Sequence, residues 1–463
     1  MPKIKYWLTF FCLSFLTTAN SQSDQSPYNV VFIAADDLNN HLGTYGHPYV
    51  KTPHLDRLAK RGVQFNAAYN QYPLCNPSRA SIMTGLRPST LAIYDLDTHF
   101  RDRFPAIVTL PQLFRKNGYT SVRLGKIYHY HVPAQIGTDG LDDPMSWDTV
   151  INPIGRDKTD EQLVTNLTPQ RSLGAALAWQ KAEGTAADQT DGKIAEEAVK
   201  MLYQLKDKPF FLAVGFFRPH TPFIAPASFF DLYPKEQLQL PDSIPNDWAD
   251  IPDAALFTKP AHWGLLPDQR KTAMQAYYAA VSMLDEQVGK LLDALDALDL
   301  TKKTIIVFWS DHGYHLGEHG QWLKQSLFED VARVPLLIAG PGIKKAVHCD
   351  RTVELVGLYP TLANLCGLPA PDHLEGYSFI SLLSNPRQKW SRPAYTQIKR
   401  GAIFGKSVRT ERWRYTEWDE GRAGAELYDH KKDPREFYNL YDSLKSGSIV
   451  ATLSRLLREE KRP

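Results

Sequence analysis

Cysteine is scarce, with four residues in a chain of 463. A disulfide-built scaffold is therefore excluded, and a chain this long buries a large hydrophobic core instead. An excess of one charge is also lacking: 53 Lys and Arg face 51 Asp and Glu, for a formal net charge of +2. That balance gives no support to nucleic-acid binding and confines any preference for an acidic substrate to a local pocket. The apolar run at 6–16 is too short to cross a bilayer, so no membrane anchor is expected. Internal repeats and low-complexity tracts are absent. What remains is an ordinary enzyme composition, 43% hydrophobic and 22% charged, sized for one large α/β domain and a smaller appendage.

The first residues read as a separate unit. Lys3 and Lys5 precede the apolar run, and small or polar residues follow at 17–21. This is the pattern of a secretory signal over 1–22, cut between Ala19 and Ser23. Export, to a bacterial periplasm, is the expected location. Cys12 leaves with the signal, and Cys75, Cys349 and Cys366 remain. An odd count in an exported protein calls for an explanation.

Four apolar runs end in polar, reactive residues. Residues 29–35 (NVVFIAA) lead into Asp36-Asp37, and 120–124 lead into Gly125-Lys126. Residues 208–215 stop before Arg218-Pro219-His220, and 303–310 lead into Asp311-His312. Each run has the look of a buried parallel strand, and ligand sites in open α/β sheets lie at the carboxyl ends of such strands. Helices are expected at 52–62, with Gly62 ending the first, at 109–118, 272–298 and 354–365, and a further strand at 335–339. Residues 134–192 and 222–270 have weak periodicity and read as long insertions, suited to substrate walls. After about residue 390 the texture changes to alternating strands at 407–416 and 426–430 and a closing helix at 449–460. The expected units are thus a catalytic domain over 26–390 and an α+β subdomain with an antiparallel sheet over 391–463.

Taken singly, the polar tips are ambiguous. Asp36-Asp37 and Asp311-His312 supply hard ligands suited to Ca²⁺, yet each pair alone serves equally well as a cap. Lys126 and His129, His220 in its Pro-flanked turn, and Lys324 are unremarkable in isolation. Pro77-Ser78 also suits a plain helix start.

Their order along the chain is what distinguishes them. Cys75-Asn76-Pro77-Ser78-Arg79 followed by Thr84-Gly85 resembles the maturation signature of the type I sulfatases. Asp36-Asp37, Lys126-x-x-His129, Pro219-His220-x-Pro222 and Ser310-Asp311-His312-Gly313 with Lys324 stand at family-like intervals. The resemblance is nearest to the iduronate-2-sulfatase-like branch, on Tyr94-Asp95 with Arg101, the Lys126–His129 spacing, and His312 where many sulfatases carry Asn.

The resemblance implies an alkaline-phosphatase-like α/β sandwich and an enzyme cleaving sulfate esters. It implies that Cys75 is oxidised to formylglycine by a maturation enzyme, leaving two cysteines that bridge or stay free. It also implies Ca²⁺ held by Asp36, Asp37, Asp311, His312 and the matured residue 75. Arg79 would orient the aldehyde hydrate, Lys126 and Lys324 would clamp sulfate, His220 would be the acid and His129 the base. The expected partner is a sulfated oligo- or polysaccharide, a glycosaminoglycan or an algal glycan such as ulvan or carrageenan. His99 and Arg101 are expected to face that sugar or to form a structural ion pair. Trp147, Trp263 and Trp322 would stack on sugar rings or pack in the core. The alternatives are a phosphate or phosphonate ester hydrolase on the same fold and a secreted glycan-binding protein without activity.

Overall fold

A computed structural model describes residues 1–3, 28–443 and 447–460. The apolar run and cleavage region of the expected signal lie outside the described residues. Among the described residues, no helix is long and apolar enough to cross a membrane.

The core is a nine-stranded mixed sheet. Its strands are β1 (Asn29–Asp36), β2 (Gly62–Tyr69), β3 (Thr120–Gly125), β4 (Thr149–Ile151), β5 (Phe210–Pro219), β6 (Thr304–Ser310), β7 (Arg333–Ala339), β8 (Val347–Cys349) and β9 (Val353–Glu354). The order is β8-β2-β7-β6-β1-β5-β3-β4, with β9 also on β2. Only β7 runs antiparallel to its neighbours β6 and β2; the other pairings are parallel. β1 is central and wholly buried, as its unbroken apolar run requires. Its side chains alternate between two cores. Val31, Ile33 and Ala35 meet helices Pro53–Arg61, Thr190–Leu205 and Pro267–Ala297 on one face. Val30, Phe32 and Ala34 meet helices Cys75–Thr84, Leu110–Lys116 and Leu358–Leu365 on the other.

Most expected elements lie within a few residues of their observed bounds, and three depart. Gly62 does more than end the first helix: it opens β2, where a Cβ would stand 2.1 Å from the Ile338 carbonyl of β7, so the close strand approach requires glycine. β5 does not stop at 215 but continues to Pro219, because the Asp191 carboxylate accepts hydrogen bonds from the Phe217 and Arg218 amides. The end of the first insertion holds the start of the 16-residue helix Thr190–Leu205, which its weak periodicity does not announce. Elsewhere the insertions are mostly turns, with short strands Thr165–Asn166, Ala178–Ala182 and Phe223–Pro226 forming a small sheet. Cys349 and Cys366 are both free thiols.

Four antiparallel strands follow, β10 (Ala394–Arg400), β11 (Ile403–Arg409), β12 (Trp413–Trp418) and β13 (Ala425–Asp429), with helix Gly447–Arg458. They are tied to the large sheet through buried charges. Arg414 bonds Glu436 at 2.6 Å and also Glu329, and His430 sits 2.8 Å from Glu436. His319 makes a second tie: Nδ1 lies 3.0 Å from Asp247 and Nε2 donates to the Arg435 carbonyl at 2.9 Å. With both nitrogens donating, the ring carries its proton. Burial opposes that charge, but Asp247, with Asp330 and Glu436, raises the His319 pKa from 6.5 to about 9.

The folded pKa lies above the unfolded one, so this contribution is complete below pH 6.5 and lost as pH rises through 9. At about 1.4 kcal/mol per tenfold, its ceiling is about 3 kcal/mol. Urea denaturation of His319→Gln should show its largest deficit against wild type at about pH 6 and a shrinking one toward about pH 9.5. A deficit that does not change with pH would contradict the charged pairing.

Candidate active site

The four parallel strands β6, β1, β5 and β3 deliver their carboxyl ends to one edge of the sheet. Asp36 ends β1 and Asp37 follows it, Asp311-His312 follow β6, His220 follows β5, and Lys126 follows β3. Against this edge stands helix Cys75–Thr84. Half of its ten residues CNPSRASIMT are polar yet every one is buried, which is costly unless each polar group is paired.

Arg79 does most of that pairing. Its Nε donates to Asp311 Oδ2 at 2.8 Å, Nη1 to the Lys126 and Ile127 carbonyls at 2.7 and 3.0 Å, and Nη2 to Asp36 Oδ1 and the Ala35 carbonyl at 3.2 and 3.3 Å. Ser78 donates to the Asp311 carbonyl at 2.6 Å. One helix is thereby fixed to the ends of three strands. Its first residue, Cys75, points its Sγ to within 3.1 Å of Lys324 Nζ and 3.3 Å of His312 Nε2. Lys324 also donates to Asp37 Oδ1 at 2.6 Å, and Lys126 pairs with Asp36.

Burial raises the pKa of the Asp37 carboxyl despite Lys324 and His312. Burial opposes the charge on Asp36 as well, but there Lys126, with His220 and Arg79, overrides it and holds the carboxyl well below the usual range. Burial also pushes the Cys75 thiol up, so the unmodified side chain is a neutral thiol and a poor nucleophile. His220 and His129 are both held neutral, first by burial and then by Lys324 and Lys126 respectively. His220 Nδ1 donates to the Thr221 carbonyl at 2.6 Å, which leaves Nε2 facing Asp37 at 3.8 Å. Among the described residues, neither ring nitrogen of the buried His129 has a hydrogen-bond partner.

The donor set suits a hard cation. Ligand atoms of Asp36, Asp37, Cys75 and His220 lie within 4.8 Å of one another, as do those of Cys75, Asp311 and His312. Asp37 Oδ2 is buried with no hydrogen-bond partner among the described residues. His312 Nδ1 donates to the Gly313 carbonyl at 3.0 Å, which turns the lone pair of Nε2 toward Asp37 and Cys75. A backbone carbonyl is a usual support behind a ligating histidine.

The cluster opens into a cavity of about 700 Å³ lined by Asp37, Cys75, His129, His220 and Lys324, with Tyr130, Arg171 and Gln325 among the wall residues. Those last three carried no motif, and Arg171 comes from an insertion of weak periodicity. His99 and Arg101 are not brought to this cavity. Arg101 is committed to Asp143 at 2.8 Å and to Gln112, and His99 caps the turn at Arg101 while donating to the Asp142 carbonyl. Of the two alternatives expected for them, the structure shows the structural one: an ion pair for Arg101 and backbone hydrogen bonds for His99. Trp147 and Trp322 are core residues, while Trp263 is half-buried beneath Arg171.

The geometry is matched by relatives. The family model "Sulfatase" matches residues 28–368, and "N-sulphoglucosamine sulphohydrolase, C-terminal" matches 317–462. Iduronate 2-sulfatase of Homo sapiens is 34% identical, over 94% of this chain and 95% of that protein. Among solved structures, a 2-O GAG sulfatase superposes with a TM-score of 0.72 at 25% identity, covering 94% of this chain and 92% of that one. The phosphonate monoester hydrolase of Agrobacterium radiobacter superposes at 0.76 with 21% identity, covering 93% and 95%. At that identity it shows the fold alone, the alkaline-phosphatase-like sandwich.

Replacing Arg79 by Leu would strand two buried carboxylates and the site's backbone acceptors. A loss of about 3–5 kcal/mol in urea denaturation is expected, with Arg79→Lys recovering only part. A loss below about 1 kcal/mol would show that the helix is held by other means.

Proposed function

The chain belongs to the sulfatase family and is a sulfuric ester hydrolase, and from that premise we propose an exported enzyme that desulfates a sulfated carbohydrate after conversion of Cys75 to formylglycine. The observation that carries this reading is the position of Cys75 Sγ, 3.1 Å from Lys324 and 3.3 Å from His312 at the floor of the cavity. Asp36, Asp37, Asp311 and His312 are the proposed holders of Ca²⁺. When present, the aldehyde hydrate supplies an oxygen nucleophile and the metal draws electron density from the sulfate oxygens.

The remaining work falls to this chain's side chains. Arg79 fixes the helix start, so that residue 75 keeps one position relative to the strand ends. Lys126 and Lys324 hold positive charge where negative charge gathers on the sulfuryl oxygens, in a site dry enough for that attraction to be strong. His220, oriented by Thr221, directs Nε2 at the cleft and is the proposed proton donor to the leaving sugar oxygen. Burial leaves it neutral at rest, and the negative charge of a bound sulfate favours its protonation. Neutral, unpartnered His129 is the proposed base. The sugar class rests on the relatives, iduronate 2-sulfatase and a 2-O GAG sulfatase.

Cys75→Ser retains an attacking oxygen but lacks the second hydroxyl needed to expel sulfate. Intact mass spectrometry should find that variant inactive or with sulfate retained on the substituted side chain; full turnover by it would sink the proposal. Calcium about a hundredfold above its Kd should stabilise the wild-type fold by about 2.7 kcal/mol in thermal unfolding. Asp311→Asn should abolish most of that gain. An identical calcium response in both proteins would remove Asp311 from the site.

A further inference from the structure

The cavity is much larger than a sulfate group. Its volume of about 700 Å³ is that of a site for a whole ligand of sugar size or more, so much of its wall must meet the rest of the substrate. Part of that wall is residues 171–175 and Phe257, contributed by the two insertions.

Most cations around the site already have a counter-ion. Lys324 pairs with Asp37, Lys126 with Asp36, and Arg79 with Asp36 and Asp311. Glu161, an acid of the same wall, is held by Lys158 at 2.8 Å. Arg171 differs. Among the described residues its guanidinium has no carboxylate partner and lies instead against rings: Cζ is 4.2 Å from the Trp263 centroid and 5.6 Å from that of Phe257. Its backbone is fixed by Thr168, whose carbonyl accepts from the Arg171 amide at 2.9 Å, and by Asn166 at 3.1 Å. Burial lowers its basicity, opposed only by the Tyr314 hydroxyl. A guanidinium resting on aromatic rings keeps its in-plane N–H donors for another partner.

We propose that Arg171 anchors a second anionic group of the saccharide, a carboxylate or a further sulfate, so that the enzyme selects sulfate esters carrying a second negative charge. This rests on the sulfatase reading of the same cavity. A planar fork of donors matches either oxyanion in bidentate fashion. A partly buried cation without a counter-ion also penalises a neutral sugar, because docking one would desolvate the guanidinium with no charge in return.

The test compares wild type, Arg171→Ala and Arg171→Lys. Binding is measured by calorimetry on protein with unconverted Cys75, so it does not depend on turnover. Four probes are used: a monosulfated uronate disaccharide, the same sugar with its carboxyl reduced to an alcohol, a disulfated neutral disaccharide, and its monosulfated form. Arg171→Ala should weaken the doubly charged sugars at least about tenfold more than the singly charged ones, with Arg171→Lys recovering part. In converted enzyme the same selectivity should appear in KM rather than kcat.

Loss of wild-type affinity on carboxyl reduction identifies a carboxylate partner, and loss on removal of the second sulfate identifies a sulfate. Equal weakening of all four sugars by Arg171→Ala, no weakening, or no binding of any of them overturns the assignment. Sulfate release from a simple aryl sulfate by converted wild type tests the underlying reading separately, since that probe has no second charge for Arg171 to meet.

Discussion

The site depends on one buried guanidinium. Arg79 bonds two carboxylates and three backbone carbonyls at the ends of β1, β3 and β6, and with them it sets the helix that carries Cys75. Arginine suits this position because its five donors form a rigid fork and its charge persists when buried. Ala80, Ile82 and Met83 place one side of the helix in the hydrophobic core, and Arg79 supplies the pairing that lets its polar residues be buried as well. The packing of β1 between two hydrophobic cores gives the other half of the constraint, since strands held on both faces cannot shift their tips.

Around this fixed frame the charges nearly cancel. Asp36, Asp37 and Asp311 face Arg79, Lys126 and Lys324, with two neutral histidines at the edge. In a site this dry, an unpaired charge would cost several kcal/mol. The lysines lie against the aspartates for that reason, and a divalent cation among the carboxylates would free them to meet an anion. The same reasoning singles out Arg171, a wall cation that has rings beside it and, among the described residues, no acid.

Much of this is legible in the sequence, because strand tips are local features. An apolar run followed by Asp-Asp, Asp-His or Gly-Lys shows both the strand and the end at which its polar residues emerge. What lies hidden depends on distant partners. β2 escapes a reading of the letters because its mixed residues follow a glycine that also terminates a helix, and only β7 across the sheet explains that glycine. The Cys75–Thr84 segment reads as a plain helix start, and its burial is explained only when Asp36 and Asp311 are placed against it. Arg101 stands near the signature and invites a substrate role, yet Asp143, 42 residues further on, takes its donors. Arg171 is silent for the opposite reason: the rings that orient it come from a second insertion about 90 residues away.

The fold is shared by sulfatases and a phosphonate monoester hydrolase, so the reaction itself is what most needs measurement. The direct test is ester hydrolysis by protein in which conversion of Cys75 to the aldehyde has been verified by peptide mass, on sulfated uronate oligosaccharides beside phosphate and phosphonate esters. Sulfate release well above phosphate or phosphonate cleavage is the expected result. Preferential cleavage of the phosphorus esters, or no sulfate release by fully converted protein, would contradict the account.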